Sequence, residues 1–191
     1  MKKSLVALAT LAVTLAGAGS AHASSYAIDP THTYVTFEIG HFGASTNRGR
    51  FDKKEGKIEF DRAAKTGKVD ITLDVASINT GFSQFNDHLK SNELLDAAKY
   101  PTARFVGDKF TFNGDKVSKV SGQLTLLGKT QPVTLNATSF ACYDSPMLKR
   151  EVCGGDFETV IKRSDFGVKY GLDWGFPDNT RLVVQIEAVK Q

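Results

Sequence analysis

Three histidines, His32, His41 and His88, and two cysteines, Cys142 and Cys153, carry most of the reactive capacity of this chain beyond its first two dozen residues. A catalytic zinc needs about three protein ligands converging on one point. His32 and His41 are nine positions apart, so a regular strand between them turns them to opposite faces. A bulge at Gly40 would change that. Asp87 and His88 are adjacent, and neighbours in a helix do not face each other, which argues against an acid–base pair. The stretch Gly122–Thr130 has the look of a phosphate-binding loop. Such a loop needs four residues between its glycines and a helix after it, whereas here there are five, and Pro132 opposes a helix. No G-x-S-x-G, H-E-x-x-H or G-x-G-x-x-G pattern occurs. The expectation is a protein that is not an enzyme, with a His-dependent hydrolase or redox protein as the lesser alternative and no metal.

Residue usage narrows the class. The chain has 191 residues, 41% hydrophobic and 24% charged, with a net charge of +3. That balance is globular, and it lacks the basic footprint of a nucleic-acid binder. Arg48, Arg50, Lys53, Lys54 and Lys57 do cluster, but Asp52, Glu55 and Glu59 dilute them, and the run reads as a solvated strand edge. Lys2 and Lys3, an apolar stretch from Leu5 to Ala18, and Ala21-His22-Ala23 form the pattern of a secretory signal peptide over residues 1–23. Its removal takes 23 of 191 residues and two lysines, leaving 168 residues at +1. The expected location is the periplasm. In that oxidising compartment the two cysteines, 11 positions apart in a Gly- and Pro-containing stretch, read as a loop-pinning disulfide.

The remaining residues, 24–191, read as one all-β domain. Val35, Phe37 and Ile39 alternate with Thr36 and Glu38. Val69–Val75 and Leu182–Ala188 repeat the pattern. Weaker runs lie at Ile58–Phe60, Phe105–Phe112, Val117–Leu126, Val133–Phe140 and Phe157–Ile161, which makes eight strand candidates. Asn113-Gly114 and Leu127-Gly128 mark tight turns. Between Ser83 and Lys99 the spacing of Phe85, Leu89, Leu94, Leu95 and Ala98 turns helical. One or two short helices are expected there, with Ser83 and Ser91 as N-caps. Eight antiparallel strands close into a barrel or stack as a sandwich. An eight-stranded barrel is either filled by side chains or holds one ligand. The 13 phenylalanines suit both outcomes.

Several segments, taken in order, resemble the YceI-like family, the polyisoprenoid-binding, lipocalin-like secreted proteins. They are Tyr26-x-Ile28-Asp29-Pro30-x-His32 and Val35-x-Phe37-x-Ile39-x-His41, then Gly49-x-Phe51, Ser77-Ile78-x-Thr80-Gly81 and Asp87-His88-Leu89-Lys90-Ser91. Lys99-Tyr100-Pro101-x-x-x-Phe105, Gly122-x-Leu124-Thr125-Leu126-x-Gly128-x-Thr130-x-Pro132-Val133 and Arg163-Ser164-Asp165-Phe166-Gly167 continue the match. Asn86, Thr33 and Lys129 depart from the usual residues. Cys142–Gly155 and the stretch around Trp174-Gly175-Phe176-Pro177 look specific to a subgroup.

The resemblance implies an antiparallel eight-stranded lipocalin-like barrel with an elongated apolar pocket. It implies no covalent cofactor but a bound polyisoprenoid, isoprenoid quinone or fatty amphiphile. It also brings a membrane cytochrome b561-type or quinone-linked partner into view, and leaves a homodimer open. Alternation places Phe37, Ile39, Phe51, Ile71, Leu73, Phe105, Leu124 and Leu126 on the pocket wall, with Phe82, Phe85 and Leu89 from the helical insert. His41, Asp87 and His88 are the polar groups expected near it. A filled barrel docked on a membrane redox protein is the alternative.

Overall fold

The computed structural model describes residues 23–191; the expected signal peptide, apart from Ala23, lies outside them. Strand segments β1 (Ser24–Ile28), β2 (Tyr34–His41), β3 (Ser45–Phe51), β4 (Lys54–Asp61), β5 (Thr66–Asp74) and β6 (Ile78–Asn79) are followed by one helix, α1 (Ser83–Lys90). Then come β7 (Thr102–Asn113), β8 (Lys116–Leu126), β9 (Lys129–Asp144), β10 (Glu151–Lys162) and β11 (Asn179–Lys190). The segments make eight long antiparallel strands, because β1 and β2, β3 and β4, and β5 and β6 are each one strand with a break. Each strand pairs with its sequence neighbour. The ring closes where β11 pairs with both β1 (Ala188 opposite Ile28) and β2 (Val184 opposite Val35). Closure leaves the long strands without a free edge.

The three breaks have local causes. At the first, Asp29 accepts hydrogen bonds from the Thr31 amide (2.8 Å) and hydroxyl (2.6 Å), and its other oxygen meets His32 Nδ1 at 2.8 Å. The Thr31 contact, followed by His32, outweighs burial and holds the Asp29 carboxyl down at about 2. At the second, Ser77 Oγ accepts from the Lys53 amide, and Asn79 donates to Asp52. At the third, Asp74 accepts from the Ala76 amide and Ser77 donates to the Asp74 carbonyl. Short polar side chains thus take over backbone partners that a continuous ladder would supply.

Two expectations need correction. The helical insert holds a single α-helix, within the one or two expected, but neither serine caps its start. Phe82 occupies that position in an extended conformation with no side-chain cap, and Ser91 ends the helix instead. The turns that follow α1 are held by Ser91 and Asp96 backbone bonds. The disulfide is present (S–S 2.02 Å), but it does not pin a loop: Cys142 and Cys153 face each other across the β9–β10 ladder. Between them, β9 runs on to Asp144 and β10 begins at Glu151, so the cysteines are strand residues.

The Gly122–Thr130 stretch is a hairpin. β8 and β9 flank Leu127 and Gly128, both in the left-handed region (φ 49° and 70°), as a two-residue turn matched to strand twist requires. Three of the five cations in the basic run along β3, β4 and the break between them are ion-paired: Arg48 with Glu38, Arg50 with Asp52 and Lys53 with Asp74.

Candidate functional site: the barrel cavity

Alternation along the strands builds one interior wall. Val35, Phe37, Ile39 and His41 on β2 point inward; so do Val69, Ile71 and Leu73 on β5 and the even-numbered residues Leu182, Val184 and Ile186 on β11. Outward positions carry the charges. Glu38 pairs with Arg48 and Arg181, and Arg181 also bonds Glu158, a chain of opposite charges across four adjacent strands. Parity is broken by bulges. On β7 the inward set shifts from Ala103 and Phe105 to Phe110 and Phe112, because the pairing with β8 slips between Gly107 and Lys109.

The wall encloses a cavity of about 530 Å³. Gly49 helps make it: a Cβ there would sit 2.5 Å from the Phe37 ring, so only glycine leaves that ring its place. The rings neither all line the space nor all fill the core. At the end holding β4's last residues, Phe60 is 4% exposed and is packed by Tyr26, Phe110, Phe112 and Phe140, with centroids 5.8–6.4 Å away. Here Tyr26 donates to Glu151 (2.6 Å), and burial first, then this carboxylate, pushes the Tyr26 hydroxyl up to about 12. This end is plugged.

The opposite end carries the β2–β3 turn, α1 and the segment between β10 and β11. Phe42, Phe176 and His41 pack edge to face at 5.1–5.4 Å, and His88, Tyr170 and Trp174 do the same at 4.9–5.2 Å. Phe42 and Trp174 are both cavity-wall residues and largely exposed, the latter at 65%, so the cavity reaches the surface here.

Twelve of the fourteen residues assigned to the pocket from sequence lie on this wall: Phe37, Ile39, His41, Phe51, Ile71, Leu73, Phe85, His88, Leu89, Phe105, Leu124 and Leu126. Phe82 does not. It is 59% exposed, because its extended backbone ahead of α1 takes it off the face that carries Phe85, His88 and Leu89. Asp87 sits on the other side of the helix, paired with Lys90 at 2.9 Å. His32 is spent in the strand break beside Asp29, where that carboxylate raises its pKa. Among the described residues no three His, Cys, Asp or Glu side chains gather where a metal could be held.

Sequence reasoning missed Arg163, Tyr170, Trp174 and Phe176 at the mouth, all on the cavity wall. Arg163 continues the inward series of Phe157 and Ile161 by two residues, so strand parity could have found it. It is 6% exposed. Its Nε donates to the Pro177 carbonyl (2.9 Å), and its Nη1 to the carbonyls of Tyr170 (2.7 Å) and Val168 (3.2 Å). The guanidinium therefore holds the loop that frames the opening. Burial pulls its pKa down, opposed by the charge of Asp178.

A family model described as the YceI-like domain matches residues 26–188. The chain belongs to the YceI-like family. This YceI-like chain is 36% identical to Protein YceI of Escherichia coli O157:H7 over 194 residues, covering the whole of both. Among solved structures, Burkholderia cenocepacia BcnA superimposes with a TM-score of 0.68 at 26% identity, over 84% of this chain and 98% of that one. A domain of Saccharophagus degradans described as polyisoprenoid-binding gives 0.63 at 17% identity, over 88% and 99%. That last likeness is one of fold.

Proposed function

We propose that this protein binds an isoprenoid or other long-chain amphiphilic lipid inside the barrel, after export to the periplasm, and performs no chemistry on it. The observation that carries this reading is the cavity: about 530 Å³, apolar along its length, plugged at one end and open at the other. That volume falls in the roughly 300–1,000 Å³ range of small-molecule sites. Each CH₂ buried from water contributes on the order of 0.8 kcal/mol, so a long tail binds well with few polar contacts. The tail runs toward the Phe60 cluster and the head stays at the mouth. The Saccharophagus neighbour, described as binding polyisoprenoid, adds weight through shared architecture. Export rests on the sequence pattern of residues 1–23.

Trp174 is the single tryptophan of the chain and stands at the mouth, so it reports on occupancy. Titration of delipidated protein with a polyprenol or isoprenoid quinone should change its emission saturably. Native mass spectrometry of protein taken from its host should show an adduct of lipid mass. No adduct and no saturable change with any long-chain amphiphile would sink the reading.

A further inference from the structure

The mouth holds a cation with an unmet donor. A guanidinium has five N–H groups. In Arg163 three are used, by the carbonyls of Pro177, Val168 and Tyr170. Nη2, with the other two, is buried and has no hydrogen-bond partner among the described residues. Asp178, whose charge acts on the guanidinium, spends its carboxylate on the Ser164 amide (2.9 Å) and hydroxyl (2.7 Å); its contact with Arg163 is between backbones, amide to carbonyl at 3.0 Å, and not with the guanidinium. Leaving a charged donor buried and unpaired is costly, and three neutral carbonyls do not cancel its charge. The Phe176 ring lies over the guanidinium at 5.8 Å and also belongs to the rim, packed on His41 and Phe42. A head group arriving at the rim meets Phe176 first and Arg163 behind it.

We infer that Arg163 is the head-group site of the cavity, selecting amphiphiles whose head is an anionic oxygen group, a carboxylate or a phosphate. This rests on the lipid-binding reading above and names the class of lipid. Rotation of Phe176 gives the head access, and the two Nη2 hydrogens bond its oxygens in the fork geometry that suits such anions. The tail follows the apolar wall.

The test compares ligands sharing one tail: oleate, an oleyl phosphate, oleyl alcohol and oleylamine, each titrated into the full mature protein at constant pH by Trp174 emission. Oleate and the phosphate should bind at least about tenfold more tightly than the alcohol, since charge-assisted hydrogen bonds are worth that much, and the amine should bind most weakly. The preference should persist at high salt, which screens surface lysines but not a buried cation. Arg163→Met should bring the acid-to-alcohol affinity ratio to about one, whatever the loss of its bonds to the loop carbonyls does to the absolute affinities. If that variant does not fold, Arg163→Lys, which keeps the charge without the fork, should narrow it, and the wild-type series stands without either. Equal affinity for alcohol and acid would overturn the assignment and leave the lipid-binding reading intact. A preference abolished by salt, or one that survives Arg163→Met, would overturn it too. If no member of the series and no isoprenoid binds, both readings fall.

Discussion

The two ends of the barrel use the same kind of residue to opposite effect. Around Phe60 the rings come from four strand segments, β1, β4, β7 and β9, locked by ladders on both sides and by a disulfide between β9 and β10. Around Phe176 the rings come from the last residue of β2 and the turn after it, a helix and the loop between β10 and β11, whose backbone is held by Arg163 and short-range turns. Rings fixed in paired strands interlock and exclude everything else. Rings carried mostly on loops keep solvent contact and leave a passage. The difference between a plug and an entrance here lies in the backbone beneath the rings.

That contrast can be broken most severely at the plug. Phe60→Ala should cost about 3–5 kcal/mol, the usual range for a buried aromatic, read from denaturant unfolding. A loss under about 1 kcal/mol would mean the plug is loosely packed. Replacing Cys142 and Cys153 by serine should cost up to about 3 kcal/mol, as expected for so short a bridged loop, with ligand affinity at the mouth unchanged. A large drop in affinity would show that the two ends are coupled.

Tyr26→Phe should cost about 1–2 kcal/mol, because Glu151 loses its shortest hydrogen bond. It also changes the alkaline limb. The Tyr26 pKa is raised on folding from 10.0 to about 12, so the folded state holds the proton more tightly. The stability this contributes is full below pH 10 and fades as pH rises toward about 12. The variant should lack that fade in stability measured against pH; an identical alkaline slope would disprove the linkage. Smallest of all, Trp174→Ala at the exposed rim should shift stability by no more than about 0.5 kcal/mol.

The barrel was readable from period-two patterning because each of the eight runs found in the sequence belongs to a different long strand. What escaped was their continuity. Asp29-Pro30 and Asp52-Lys53 look like ends of strands, whereas the chain merely bends there and resumes pairing with the same neighbour. The pocket wall followed from alternation wherever parity held. It slipped at the β7 bulge, which hid Phe110 from a simple count. Phe82 was misplaced because helical spacing was extended into a residue that is not helical. Arg163 continues the parity of Phe157 and Ile161 but went unassigned, because only apolar residues were counted along that inward series. The disulfide's pairing was plain from the count of cysteines, but its place in a ladder was not, since Gly154 and Gly155 read as a loop. Both pack against backbone of neighbouring strands, where a Cβ would lie 2.2–2.3 Å from a carbonyl oxygen.

Ring closure sets the last residues of the chain beside Ser24 and Ser25, with the Gln191 amide donating to the Ser25 carbonyl at 2.8 Å. Both segments belong to the plugged end, and the 12 residues of β11 separate them from the mouth by roughly 40 Å of strand path. A bead, a chip surface or a fused domain attached at Gln191 therefore leaves the entrance facing away from its support.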